Sequence, residues 1–279
     1  MERDTKGLRV LLTVLLLAIA ALFIAPVVIV VMNSFKGNLH ISSAPFAWPT
    51  AESSVGLTNY LTGFVKIGFL RAFGWSLFIT VCSVALILLF SGMAAWYLAR
   101  VKTWYASLLY YLFVFSMIVP FQMVMFPMSK LANLLSLSNP LGILFIYLGF
   151  GAGLSIFLFT GFVKSIPLEI EEAATIDGCG PWQTYFLIVL PILKPTSITV
   201  AILNAMWVWN DYLLPTLVLG GGYMTLPRAI QGVLTGSYGG RDMGALMAML
   251  VLSILPIIAF YLVCQKYIIR GVVAGAVKG

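Results

Sequence analysis

Six stretches of this chain are long enough and apolar enough to cross a lipid bilayer. Runs 10–35, 72–99, 103–129, 139–163 and 243–265 carry no charge, while 195–220 is interrupted by Asp211 and Pro215. A bilayer core takes roughly 20 apolar residues per helix, and within it every backbone N–H and C=O must be satisfied by the chain itself. The fold class expected is therefore all-α, a polytopic membrane protein with six transmembrane helices and both termini on one side. With 61% hydrophobic and 9% charged residues, an ordinary soluble fold is excluded. The basic start, Arg3, Lys6 and Arg9, looks like the head of a signal peptide. The apolar run behind it exceeds the roughly 7–15 residues of such a segment, so a retained first span is expected.

The connections alternate between two faces of the membrane. One face collects ten basic residues (Arg3, Lys6, Arg9, Arg100, Lys102, Lys164, Lys194, Lys266, Arg270, Lys278) and the other six (Lys36, Lys66, Arg71, Lys130, Arg228, Arg241). The richer face is expected to be cytoplasmic. Because these charges sit singly at the ends of apolar runs, the net charge of +7 marks topology and not a nucleic-acid surface. On the outer side, 33–70 holds Asn59-Tyr60-Leu61-Thr62-Gly63-Phe64, a short helix expected at the interface. The connection 220–242, with Gly220-Gly221-Gly222 and Gly239-Gly240, is expected to be a mobile loop. Gly149 and Gly153 in the fourth run have GxxxG spacing and predict a close helix–helix face, within the chain or toward another subunit.

Segment 164–194, between the fourth and fifth runs, gathers Glu169, Glu171, Glu172 and Asp177 out of nine acids in the chain. Such a cluster cannot lie in lipid. Pro167 suits the first turn of a helix, and the acids after it complement the positive end of the helix dipole. Ile166, Ile170, Ala173, Ala174 and Asp177 then share one face, kept low by the two alanines for a partner's approach. Gly178 is placed to stop that helix, and Pro181 to open a second one carrying Trp182, Phe186, Leu187, Val189 and Leu190 toward the membrane.

Glu172-Ala173-Ala174, Asp177-Gly178 and, ten residues beyond Gly178, Ile188, Leu190 and Pro191 resemble the EAA loop of the permease subunits of bacterial ABC importers. Cys179 departs slightly from the small residue usual there. The tail 266–279 ends Gly275-Ala276-Val277-Lys278-Gly279, which is similar to the end of carbohydrate-uptake permeases of the maltose type. Trp209-Asn210-Asp211-Tyr212-Leu213-Leu214-Pro215 and Asn33-Ser34-Phe35-Lys36 resemble the same group. The resemblance implies a type I ABC importer permease fold over a single domain, 1–279, in the cytoplasmic (inner) membrane of a bacterium or archaeon. It implies that the loop is the coupling element, that the tail reaches between two ATPase subunits, and that those subunits bind ATP and Mg. A homologous second permease and an extracytoplasmic solute-binding protein are the other partners implied, along with membrane lipid. The solute implied is a sugar or sugar derivative. Polyamine or phosphonate permeases, which share the loop, and an ion-coupled secondary transporter stay open as alternatives.

The residues themselves supply no enzyme chemistry and no cofactor site. There is no G-x-x-x-x-G-K-[ST], since Gly161-Phe162-Val163-Lys164-Ser165 lacks the Gly-Lys pair. One histidine, His40, excludes a multi-histidine metal site, and Cys82, Cys179 and Cys264 lack disulfide or zinc spacing. By composition the tail is expected to have little structure. In the fifth run Asn204, Trp207 and Asp211 share a helix face with Asn210 at its flank. Two readings stay open there: a solute path, as an intramembrane acid suggests, or packing, with Asp211 already at the wet end of the span.

Overall fold

The computed structural model describes residues 2–276, with side chains from 7 to 265. In chain order its helices are α1 (Glu2–Asn33), α2 (Asn38–Ser43), α3 (Thr58–Lys66), α4 (Phe69–Arg100), α5 (Trp104–Ser116), α6 (Phe121–Leu134) and α7 (Pro140–Val163). They continue with α8 (Leu168–Ile176), α9 (Pro181–Ile192), α10 (Lys194–Asn210), α11 (Leu213–Val218), α12 (Leu226–Thr235) and α13 (Met243–Ala276). Among the described residues no β-strand forms; Lys36 and Ser54 make one isolated antiparallel bridge.

Four segments are single helices able to span a membrane: Gly7–Asn33, Phe69–Arg100, Pro140–Val163 and Met243–Gln265. Two bent pairs, α5 with α6 and α9 with α10, bring the number to six if each pair is one span. The third apolar run is thus not one straight helix. It breaks after Ser116, and α6 leaves at 107° to α5. Pro120 lies at the break in extended backbone (ψ 136°); it has no N–H to continue the ladder and disfavours helical backbone in the residue before it.

The chain packs as two compact units, Met1–Leu70 with Ala229–Pro256, and Arg71–Arg228 with Ile257–Gly279. In the first, the residues that follow α1 are tied down by polar side chains. Asn33 donates to the carbonyls of Ile29 and Pro45, and Lys36, buried, donates to Ala44 O at 3.0 Å. The amide of Asn59 on α3 bonds Ser34 O and Lys36 O, both at 2.8 Å, and Tyr60 meets the Ser34 hydroxyl. The helix expected around Asn59–Phe64 is therefore present and anchored to the end of α1. Connection 220–242, expected as a mobile loop, contains α12. Its Leu226, Ala229, Ile230 and Val233 are all buried at i, i+3, i+4 and i+7, the spacing of one helix face.

In the second unit α7 is the central helix. One core of Ile87, Ile156, Phe159, Val163, Tyr185, Val189 and Leu193 joins α4, α7 and α9, and another joins Ile79, Ile143, Tyr147, Val208 and Leu214. The small residues that permit this are Gly151 and Gly153. A Cβ on Gly151 would stand 2.6 Å from Ile87 Cδ1, and one on Gly153 would stand 2.7 Å from both Phe113 O and Ser116 Oγ of α5. A Cβ on Gly149 would meet no neighbouring helix within 4 Å. Of the GxxxG pair, Gly153 packs within the chain, and Gly149 makes no such contact among the described residues.

Helix α13 runs on through Gly271 and Gly275 to Ala276, where composition suggested little structure. A helix already nucleated by a span extends over an isolated glycine at a cost of only about 1 kcal/mol.

Overpacking of this kind costs about 1–3 kcal/mol. Gly151→Val and Gly153→Val are expected to lower the melting temperature of the detergent-solubilised protein, while Gly149→Val leaves it at the parent value. Equal melting temperatures for all three would show that the close contacts of α7 are not what holds this unit together.

Candidate functional site

The acidic segment between α7 and α10 belongs to the second unit, and its geometry follows from three local devices. Pro167 (φ −56°, ψ 135°) stands just outside α8, so the helix begins at Leu168 with Glu169 and Glu171 in its first turn, against the positive end of the dipole. The other end of α8 is closed by Gly178. Its N–H bonds Thr175 O at 3.1 Å, and the N–H of Cys179 bonds Ala174 O at 2.9 Å. These two bonds form a Schellman motif, which needs the left-handed backbone that Gly178 adopts at φ +84°. The chain then re-enters a helix at Pro181, where the side chain of Gln183 accepts from the Gly180 N–H at 2.9 Å.

Helix α9 widens to a π-helix over Thr184–Val189. It meets α10 at 77°, at a break over Leu193, which is fully buried. Pro195 opens α10 without a donor to continue the ladder of α9.

The two neighbouring glutamates of α8 have opposite environments. Glu171 is buried, and its carboxylate is held by α4: Trp96 Nε1 donates to Oε2 at 2.9 Å, while Arg100 Nε and Nη2 donate to Oε1 at 2.9 and 2.7 Å. Arg100 Nη2 also reaches Ile166 O at 3.0 Å, so one guanidinium closes both the entry to α8 and its first turn. Glu172, Ala173, Asp177 and Gly178, by contrast, are exposed. Ala174 and Ile166 are buried. The single partner-facing side expected for Ile166, Ile170, Ala173, Ala174 and Asp177 is therefore divided: Ile166 and Ala174 pack inward, and Ile170, Ala173 and Asp177 point away. Beyond the turn, Ile188 and Leu190 are half-buried and Pro191 is exposed.

A segment this acidic also exposes large apolar side chains. Ile176 is 86% exposed, Trp182 66% and Leu168 49%. Apolar groups rimmed by carboxylates mark a surface suited to a protein partner.

The intramembrane polar residues lie elsewhere in the same unit and are committed to α7. Asn204, 4% exposed, donates to Ser155 Oγ at 3.1 Å and to Val200 O at 2.9 Å. Trp207 meets Tyr147 edge to face, ring centroids 5.4 Å apart, and the Tyr147 hydroxyl donates to Asp211 Oδ2 at 3.1 Å. Asp211 Oδ1 accepts from the N–H groups of Leu213 and Leu214, the orphan donors at the start of α11. The shared face of Asn204, Trp207 and Asp211 is thus a helix–helix contact. Asn210 is exposed, its amide on Met206 O at 2.7 Å. Gly275 and Ala276 end α13; Val277, Lys278 and Gly279 lie outside the described residues. The Glu171–Arg100 pair is not singled out by the sequence. Its only signal there is a basic residue ending one span and a second acid beside the Glu172 motif.

Comparison with known proteins shows the family. Residues 88–274 match the family described as binding-protein-dependent transport system inner membrane component. The chain is 40% identical over 269 residues to the probable starch degradation products transport system permease protein of Thermoanaerobacterium thermosulfurigenes, covering 96% of each. It is 36% identical to the multiple sugar-binding transport system permease protein of Streptococcus mutans serotype c, covering 95% of each. Its fold is similar to a chain in the crystal structure of a bacterial ABC transporter involved in the import of the acidic polysaccharide alginate. That similarity has a TM-score of 0.77 at 22% identity and covers 95% of this chain and 98% of that one. On the family match, carried through the clamped acidic segment and most of the spans, the chain belongs to the inner membrane components of binding-protein-dependent transport systems.

Proposed function

We propose that this chain is the permease subunit of an ATP-driven importer, forming half of the translocation path for a sugar or oligosaccharide. The observation that carries the reading is the outward face of α8 and the turn after it. Glu172, Ala173, Asp177 and Gly178 are exposed there together with Ile176 and Trp182, on a segment whose other side is locked to α4. Such a face suits a cleft on an ATPase subunit, which binds ATP and Mg. Since one chain offers one such face and ATPases of this kind close as dimers, a homologous second permease completes the path. A solute-binding protein delivers the sugar from outside.

The sugar is supported by the relatives. The first two are named for starch degradation products and multiple sugars, and another, from Bacillus subtilis, is a melibiose/raffinose/stachyose import permease 30% identical over 278 residues. The solved alginate transporter was crystallised with an alginate pentasaccharide-bound periplasmic protein. Both termini and the acidic segment are cytoplasmic in this reading, and of Asn204, Trp207, Asn210 and Asp211 it assigns to the solute path only the exposed Asn210 and the part of Trp207 not packed on Tyr147.

Reconstitution tests it. Proteoliposomes holding this chain, its companion, the ATPase and the binding protein should take up a labelled oligosaccharide with ATP, lose uptake when the ATPase or the companion is omitted, and be indifferent to an ionophore. Uptake driven by an ion gradient without ATP would overturn the reading.

Within that system Gly178→Val, which places a β-branched residue at φ +84°, and Glu172→Lys should each lower uptake at least roughly tenfold, the size of an ordinary coupling term. Membrane abundance should stay at the parent level, because the spans are held by their own hydrogen bonds. Glu169→Gln should matter less. Parent-level transport by both variants would remove this segment from the coupling role.

Topology has its own check. In a cysteine-free background, a membrane-impermeant thiol reagent should label Ser136→Cys in sealed cells and Ser165→Cys only from the cytoplasmic side. External labelling at Ser165→Cys would refute the orientation.

A further inference from the structure

The acidic segment is joined by the chain itself to α7 before it and α10 after it; α4 has no such link. Yet α4 grips the segment at three successive levels. Gly92, Trp96 and Arg100 stand at i, i+4 and i+8, hence on one stripe of that helix. At the first level the Tyr185 hydroxyl of α9 lies against Gly92, where a Cβ would come within 2.5 Å of the phenolic oxygen. At the second, the Trp96 ring lies against Tyr185, centroids 5.6 Å apart, and its N–H is given to Glu171. At the third, Arg100 holds Glu171 through two N–H groups and Ile166 O through one of them. Both halves of the acidic segment, α8 through Glu171 and α9 through Tyr185, are thus fastened to a span that the chain does not connect to them.

We infer that the Gly92–Trp96–Arg100 stripe of α4 is the transmission contact of this permease, through which a displacement of the acidic segment is imposed on α4 during each cycle. The inference rests on the proposed function above. The segment touches its ATPase with Glu172, Ala173 and Asp177, and it touches α4 with the adjacent Glu171, so a push on the outer residues reaches the carboxylate within one turn of helix. Glu171, Arg100 and Trp96 are positioning residues: they touch neither solute nor nucleotide. The chemistry favours a joint that stays closed. The carboxylate takes three N–H donors, and both charged side chains are largely shielded, 20% and 10% exposed. A lone charge left behind in such a place is poorly compensated, since Glu171 would keep only the Trp96 N–H and Arg100 only the carbonyl of Ile166. The contact is therefore one that carries load in both directions instead of a latch that opens.

The test uses the assembled transporter, with companion permease, ATPase and binding protein, reading oligosaccharide uptake, ATP hydrolysis and ATPase copurification on the same preparation. Glu171→Gln and Arg100→Gln are expected to keep the ATPase bound while uptake and the stimulation of ATP hydrolysis by loaded binding protein each fall at least roughly tenfold. Arg100→Lys, which keeps the charge but not the fork, should fall between parent and Arg100→Gln.

A second variant keeps the inference falsifiable if those substitutions destabilise the loop. Glu171→Cys with Arg100→Cys, in a background lacking Cys82, Cys179 and Cys264, is linked by a short bifunctional thiol reagent. If the joint stays closed throughout the cycle, the linked pair regains uptake that the unlinked pair has lost. Parent-level coupling in Glu171→Gln, or a linked pair as inactive as the unlinked one, would overturn the transmission contact. Neither result touches the proposed function, which fails instead if the parent assembly imports no sugar with ATP.

Discussion

Inside lipid no water is present to receive a hydrogen bond, so any place where the backbone leaves a helix must be served by a side chain or another carbonyl. Several polar residues of this protein sit where that demand arises. Asp211 receives the N–H groups of Leu213 and Leu214 where α10 gives way to α11, and Asn139 receives those of Leu141 and Gly142 where α7 starts. Asn33, Lys36 and Asn59 collect the carbonyls around the end of α1.

At the acidic segment that constraint meets a different one. Glu171 and Glu172 are neighbours in sequence with the same chemistry, but on a helix successive residues are about 100° apart. One turns inward to Arg100 and Trp96, and the other turns outward. Breaking a buried ion pair by removing one partner costs about 3–5 kcal/mol when the pair is wholly enclosed, and less here because both side chains keep some contact with water. That is still far more than an exposed acid contributes. The inner glutamate can therefore fix the position of α8 and leave the outer one free for a partner, so the segment is rigid relative to its own membrane unit without being covered.

The apolar runs make most of the fold legible in advance. α1, α4, α7 and α13 follow from length and hydropathy alone, and the helix–glycine–helix of the acidic segment follows from Pro167, Gly178 and Pro181. What the sequence conceals has a physical reason in each case. The break at 117–120 is invisible to hydropathy, because Ser-Met-Ile-Val-Pro is as apolar as the helices it separates, and only Pro120 hints at it. Helix α12 is hidden by the glycines on either side of it, although Leu226, Ala229, Ile230 and Val233 carry a full helical pattern. Composition misjudges the tail, because it ignores that a helix in progress needs no new nucleus.

The candidate site shows the limit more sharply. Periodicity groups Asn204, Trp207 and Asp211 on one face, and the structure keeps them together. It cannot say what that face meets, since a pore, a lipid and a neighbouring helix all select the same spacing; Ser155 and Tyr147 on α7 decide it. The grip on the acidic segment is a stronger case. Arg100 and Glu171 are 71 residues apart, and each alone has an ordinary explanation, a basic residue at the end of a span and an acid near a helix start. Only when α4 is brought beside α8 does the i, i+4, i+8 stripe of Gly92, Trp96 and Arg100 acquire a meaning. Local periodicity can thus specify the elements and their ends, whereas the contact that joins the acidic segment to a distant span exists only in the packing.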